Sequence, residues 1–303
     1  MLSRLVRPFI LGACLAFYPS SAAAAAFRWH STLSPHFEVS HESAWTPPGF
    51  VINLEKMHNR LRLDLSMFSP WMAKERLKLY LYHTQASYVA GEFSPPDWSN
   101  GIAMYDQKLV AVHDQKDRKK LFEVISHETT HLLFEGYWAE TGQSPPTWLN
   151  EGLAMMEEGE SALKPERTDW YQAMAYAKPD SFMPLGEFLE KSPTKDLQDN
   201  KDKVTAWYIQ AYSLVYFLFR QHNKLQFKTL CERLRDGKDL EESLWVVYRY
   251  PTGAKFEKAW REWLSSPLHR RKIEALPIAG AGSASPAGSA TPIKFSEYES
   301  LRR

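Results

Sequence analysis

The chain has 303 residues, of which 44% are hydrophobic, and its formal net charge is +1. A chain of this length and apolar content can bury a substantial core, in one domain or in two closely packed subdomains. The near-neutral charge excludes the basic surplus of a nucleic-acid-binding surface and the acidic tract of a solvating tail.

Residues 1–26 have the layout of a secretory signal peptide. Arg4 and Arg7 form a short positive region, an apolar stretch of ten residues follows, and a tract of small residues ends the segment with an A-x-A pattern. We therefore predict cleavage near its end and a secreted or periplasmic protein. Ten apolar residues are too few to span a bilayer, so no stable membrane span is expected. The alternative is a lipoprotein, because Leu11-Gly12-Ala13-Cys14 loosely resembles a lipobox.

The next part of the chain shows strand and helix patterns in turn. Residues 37–39 alternate as a half-buried strand does, residues 50–65 carry apolar residues at helical spacing, and residues 77–82 alternate strictly. After a proline-rich loop, residues 101–112 indicate one or two more strands. These strands lead into a helical segment that we place at about residues 116–135.

That helical segment contains the sequence Ser-His-Glu-Thr-Thr-His at residues 126–131, an H-E-x-x-H pattern. The four-residue spacing places His127 and His131 on one face of a helix, where both rings can bind a single ion. Glu128 lies beside them, where its carboxylate could accept a proton from a metal-bound water. The alternative is a buried helix whose histidines only form hydrogen bonds.

A second helix is expected to supply a third ligand. We predict that the first helix stops at Gly136 and that the next one opens at Ser144-Pro145, a capping serine followed by proline in the first turn. The second helix carries Glu151 within Asn-Glu-Gly-Leu-Ala. Two histidines and a glutamate, with a fourth position left to water, form the ligand set of a catalytic zinc ion.

The C-terminal half is predicted to be helical after a loop region rich in proline and charge. In residues 204–222, Tyr208, Tyr212 and Tyr216 share one helix face, a stripe that usually packs in a core. Residues 276–303 are rich in alanine, glycine, serine and proline in their first half, and are expected to be a disordered tail. Short amphipathic helices are predicted at residues 225–234, 240–247 and 256–264.

The sequence His-Glu-Thr-Thr-His followed by Asn-Glu-Gly-Leu-Ala resembles the gluzincin zinc metallopeptidases, and it is most similar to bacterial peptidase-MA-like domains. The resemblance runs from about Phe37 to Leu264 in the order of elements. It implies an α+β, zincin-like fold with an N-terminal mixed sheet, an active-site helix and a C-terminal helical subdomain. Residues 27–275 would form this domain, with the α/β part ending at about residue 145.

The resemblance also implies the chemistry. His127, His131 and Glu151 would bind zinc, and Glu128 would be the general base in the hydrolysis of a peptide or protein substrate. In the aminopeptidase type, a tyrosine about sixty residues past the glutamate ligand supplies its hydroxyl to the developing oxyanion. Tyr212 is the predicted counterpart here, with Tyr208 one turn earlier on the same stripe.

Substrate binding by main-chain hydrogen bonds is a further implication, for which the sequence offers two strands. In gluzincins the strand nearest the cleft binds extended substrate in this way. Either residues 102–105 or residues 109–112 could fill that role, and ordinary sheet strands are the alternative. Asn150 would bond substrate main chain by the same resemblance.

The sequence departs from the family pattern at two places. Aminopeptidases of this group have Gly-Ala-Met-Glu-Asn where this chain has Gly-Ile-Ala-Met-Tyr at residues 101–105, without the glutamate that holds a free amine. We therefore expect an endopeptidase, or an enzyme that anchors its substrate in a different way, rather than a standard aminopeptidase. Thermolysin-like enzymes place an aspartate four residues after the glutamate ligand to orient a histidine, whereas this chain has Met155. Glu157 or Glu158 is the expected substitute.

Two other functions stay open at this point. The chain could be a catalytically silent, zincin-fold module that binds peptides or cell-wall partners, although such a module has no chemical need for Glu128. It could also hydrolyse a non-peptide amide, which would use the same residues.

Overall fold

The computed structural model of the protein describes residues 29–43, 49–159, 167–197 and 199–266. The predicted signal peptide (1–26) and the predicted tail (276–303) lie outside these described residues. None of the helices in the described ranges has the length and apolar content needed to cross a membrane.

The N-terminal half contains one mixed sheet of five strands in the order β1-β2-β3-β5-β4. β2, β3 and β5 run parallel, whereas β1 and β4 pair antiparallel at the two edges. Every residue of β5 is buried, whereas only the first residue of β4 is. Of the two strands proposed to bind substrate, β4 therefore lies at an edge and β5 in the interior. The strands are β1 (His30–Leu33), β2 (Phe37–His41), β3 (Leu77–Tyr82), β4 (Gly101–Met104) and β5 (Leu109–His113).

Helices pack on this sheet and form the whole C-terminal half of the described chain. Together with the mixed sheet they give the α+β architecture expected from the sequence. The α-helices are α1 (Phe50–Leu65), α2 (Gln85–Val89), α3 (Arg118–Ala139), α4 (Thr147–Glu158), α5 (Asp169–Tyr176), α6 (Leu185–Glu190), α7 (Lys201–Tyr216), α8 (Lys224–Arg235), α9 (Leu240–Tyr248) and α10 (Gly253–Leu264).

The bounds of α1 and β3 agree with the sequence patterns, but the ends of α3 and α4 differ from the prediction. Gly136 lies inside α3, because the next two residues, Tyr137 and Trp138, are buried and extend the helix by a turn. A left-handed glycine, Gly142 with φ of 70°, follows the helix end instead. α4 begins at Thr147, after Pro146, and has no side-chain cap.

Close packing of α4 against α7 fixes the position of the segment that carries Glu151. A Cβ atom on Gly152 would lie 2.5 Å from the carbonyl oxygen of Ala211 and 2.5 Å from Cγ2 of Val215. Only glycine therefore allows the two helices to approach this closely. α4, which carries the neighbouring Glu151, packs on α3 as well as on α7.

Candidate metal centre and its cavity

The structure brings the three predicted metal ligands together. Nε2 of His127 lies 2.9 Å from Nε2 of His131, and 3.8 Å from Oε2 of Glu151. One ligand atom from each of the three residues falls within 4.8 Å of the other two. Two imidazole nitrogens and one carboxylate oxygen are the donors of an open, catalytic zinc site, so the residues fit this ion.

The other ring nitrogen of His127 is held by a carboxylate. Nδ1 of His127 lies 2.6 Å from Oε1 of Glu158, and the second carboxylate oxygen accepts a hydrogen bond of 2.6 Å from Nε1 of Trp170. A carboxylate partner keeps the proton on Nδ1, so that the Nε2 lone pair points towards the metal position. Of the two substitutes proposed for the missing aspartate, Glu158 therefore makes the contact with His127.

Glu157 points away from the histidines into a buried ionic network. Its Oε1 lies 3.3 Å from the Arg220 guanidinium, which also bonds the carboxylate of Asp64. Burial raises the pKa of Glu157. The hydroxyl of Ser126, the residue before the first histidine ligand, donates to the Glu157 carbonyl oxygen and accepts from Arg60. These bonds tie α3 to α4 behind the metal centre.

The predicted base, Glu128, is packed against the start of the edge strand. A Cβ atom on Gly101 would lie 2.7 Å from Cγ of Glu128 and 3.0 Å from Cγ1 of Val112. Any larger residue at position 101 would therefore displace the base or the strand. The glycine allows the start of β4 to pack closely against the Glu128 side chain.

A cavity of about 670 Å³ joins the ligands, the base and the edge strand. Its lining comes from β4 and the loop before it, α3, α4, α5, α7 and the loop before α7. The lining residues used below are Gly101, Ile102, Ala103, Glu123, His127, Glu128, His131, Glu135, Glu151, Glu158, Trp170 and Tyr208.

The structure places Tyr212 away from this cavity, contrary to the role expected from the sequence. Its side chain is 1% exposed, its ring stacks on Trp170 at 6.4 Å, and its hydroxyl is hydrogen-bonded to Thr168. Burial raises the pKa of Tyr212 well above its usual value, so the hydroxyl keeps its proton. Tyr208, one turn earlier on α7, lines the cavity instead. The geometry therefore favours Tyr208 as the hydroxyl donor.

Two further carboxylates line the cavity from α3. Glu123 and Glu135 lie four residues before His127 and four residues after His131, so the four side chains form one stripe. Burial raises the pKa of Glu123 to about 7, although Lys119 lies 3.3 Å away. The sequence analysis missed both residues, and the four-residue spacing was the signal that could have found them.

A second His/Glu group, on α1 and the loop before β2, is less suited to a metal. It consists of His36, Glu55 and His58, whose ligand atoms also lie within 4.8 Å of one another. The two rings stack at 3.9 Å with an angle of 15° between their planes. Because ring lone pairs lie in the ring planes, two stacked, nearly parallel rings cannot direct them at one ion. The group on α3 and α4 is therefore the better candidate for a metal site.

Comparison with known proteins shows the family of the chain. Residues 71–266, which include the sheet from β3 onwards and all three ligands, match the family model of the Peptidase MA superfamily. Peptidases of this superfamily are metal-dependent, typically with zinc, and some members are inactive. No curated protein matches the chain.

Proposed function

Because this chain belongs to the Peptidase MA superfamily, we propose that it is a zinc-dependent peptidase that cleaves peptide bonds in the cavity beside α3. The observation that carries the proposal is the convergence of His127, His131 and Glu151 in the wall of one cavity that also contains Glu128. A site of this composition has three protein ligands and leaves a position for water or substrate.

Each residue of the site has a role that its position supports. A zinc ion, when bound, polarises a carbonyl and lowers the pKa of water. Glu158 holds His127 in the tautomer that leaves Nε2 available as a ligand. Glu128 takes the proton of the attacking water and passes it to the leaving amine. The Tyr208 hydroxyl donates a hydrogen bond to the carbonyl oxygen as negative charge develops there.

The edge strand β4 supplies the place for the substrate backbone. Its residues Gly101, Ile102 and Ala103 line the cavity, and its outer edge is not paired with another described strand. An extended peptide would bind there as an added strand, with its main chain hydrogen-bonded to β4. Because β4 has no glutamate to hold a free amine, cleavage within chains is the activity that we propose.

Export of the protein is part of the proposal. The positive region, apolar stretch and A-x-A tract of residues 1–26 support a secreted or periplasmic peptidase. N-terminal sequencing of the exported protein tests this. A terminus near residue 27 agrees with the proposal, and an acylated Cys14 would show a lipoprotein instead.

The peptidase activity is tested with wild type and the Glu128→Gln variant on a library of N-terminally blocked peptides. We expect wild type to cleave members of the library and the variant to be inactive while both bind about one zinc ion per chain. Cleavage that survives the substitution would reject the role of the base. Zinc-loaded wild type that cleaves nothing would favour the binding module.

A further inference from the structure

We propose that Glu135 forms a subsite for a positively charged group of the substrate, so that the peptidase selects peptides with a cation near the scissile bond. This inference rests on the proposed function, because it concerns the same cavity. It follows from how this carboxylate is held, from what surrounds it and from its place beside the metal ligands.

Glu135 lies one helical turn beyond His131 on the cavity side of α3. Its Oε1 accepts a hydrogen bond of 2.7 Å from Nδ2 of Asn150, the residue before the third ligand. The same oxygen lies 3.9 Å from Nδ1 of His131. Asn150 thus bonds this carboxylate, which fixes its orientation at one end of the ligand group.

Among the described residues, the only ion-pair partner of this carboxylate is the ring of His131, at 3.9 Å. No lysine or arginine of the described chain lies within ion-pair distance of Glu135, and its side chain is 35% exposed. Two other carboxylates of the cavity have closer partners. Glu123 pairs with Lys119, and Glu158 is shared between His127 and the Trp170 indole.

A carboxylate without a lysine or arginine partner at this place has a specific consequence for binding. Charge-assisted hydrogen bonds in a partly desolvated cleft are the strong ones, and a substrate cation would supply the missing donor. Two chemical groups meet this requirement: the side chain of an internal lysine or arginine, and the α-ammonium group of a chain end. Because β4 lacks the glutamate that holds a chain end in aminopeptidases, a free α-ammonium group would also have to bind at Glu135. The test therefore includes both groups.

The test compares peptides that differ only in charge. One set is blocked at the N-terminus and carries lysine, norleucine or glutamate at each of the three positions on either side of the scissile bond. A second set has neutral side chains and a free or an acetylated N-terminus. We expect wild type to cleave the lysine peptide with a kcat/KM about tenfold or more above that of its norleucine counterpart at one position. A preference for the free terminus instead would identify the α-ammonium group as the ligand.

Two variants of Glu135 connect the preference to this residue. In Glu135→Gln the ratio of the two kcat/KM values should fall to about one, because the rate on the cationic peptide drops more than the rate on the neutral one. In Glu135→Lys the preference should shift to the glutamate peptide at the same position. The control is Glu140→Gln, at the end of α3, whose carboxylate is outside the cavity lining and pairs with Arg235 at 3.7 Å.

Three results would overturn the inference. They are a wild type without charge preference, an unchanged ratio in Glu135→Gln, and an equal loss on both peptides accompanied by weaker zinc binding. The last result would mean that Glu135 only supports His131.

A binding measurement separates this inference from the proposed function. Zinc-loaded Glu128→Gln is titrated with the same peptides, with and without the added Glu135→Gln substitution. Preferential binding of cationic peptides that depends on Glu135 would support the subsite even if wild type cleaves nothing. Cleavage by wild type without any charge preference would leave the peptidase standing and remove the subsite.

Discussion

Replacing Glu158 by glutamine should weaken zinc binding, although Glu158 is not itself one of the three proposed ligands. The Glu158 carboxylate accepts two hydrogen bonds of 2.6 Å, from Nδ1 of His127 and from Nε1 of Trp170. Glutamine keeps the shape but offers only one oxygen, and its amide group is a donor. One of the two N–H groups must therefore lose its acceptor.

The size of the effect follows from which bond is lost. If the amide faces His127, the ring is driven to the tautomer with its proton on Nε2, the nitrogen that should bind zinc. If the amide faces Trp170, the ring keeps its tautomer but loses the negative charge of its partner. Supporting residues of this kind typically contribute 10–100-fold to metal affinity, equivalent to about 1.4–2.7 kcal/mol.

Competitive titration against a fluorescent zinc chelator measures this affinity. Trp170→Phe is the matched variant, because it removes one bond to Glu158 while the contact with His127 stays. We expect Glu158→Gln to lose about 10–100-fold in zinc affinity and Trp170→Phe to lose less. Wild-type affinity in Glu158→Gln would refute the argument that this carboxylate sets the tautomer of His127.

Three further predictions concern the base, the tyrosines and the stability of the metal-free protein. Gly101→Ala should lower kcat by roughly a hundredfold with zinc retained, because the new methyl group displaces the Glu128 carboxylate; unchanged turnover would contradict this packing. Tyr208→Phe should lower kcat by roughly 10²–10³, whereas Tyr212→Phe should change thermal stability and leave turnover near wild type. Equal losses of turnover in the two variants would contradict the choice of Tyr208 as the hydroxyl donor. In the folded state the pKa of Glu123 is raised from 4.5 to about 7, so the native state binds its proton more tightly than the unfolded state does. The free energy of unfolding of the metal-free protein should therefore decrease as the pH rises from 4.5 to about 7, by roughly 3 kcal/mol at most. In denaturant unfolding, the free energy of unfolding of Glu123→Gln should depend less on pH than that of wild type. The same pH dependence in both proteins would contradict this prediction.

Local patterns were sufficient to predict much of the architecture. The strict alternation of residues 77–82 and the helical spacing of residues 50–65 gave the bounds of β3 and α1. Shorter elements such as β1 and α2 were not predicted, because four or five residues carry too little periodicity. The stop predicted at Gly136 was wrong, since the burial of Tyr137 and Trp138 outweighs the low helix propensity of one glycine.

The candidate metal ligands could be found from the sequence because each of them belongs to a short motif within a single helix. The residues around them depend on packing between helices, which no local pattern gives. Glu158 is three residues beyond Met155 and therefore shares its helix face, but only the packing of α4 on α3 selects it over Glu157. Likewise Tyr208 and Tyr212 lie on one stripe about 6 Å apart along the axis, and only the fold shows which end reaches the cavity.

The zinc content of the purified protein tests the central claim most directly, with His131→Ala and His36→Ala as a matched pair. Each variant removes one histidine from one of the two His/Glu groups. We predict about one zinc per chain in wild type and in His36→Ala, and loss of zinc in His131→Ala. Zinc that remains in His131→Ala and disappears in His36→Ala would place the metal in the other group, and the proposed peptidase site would be contradicted.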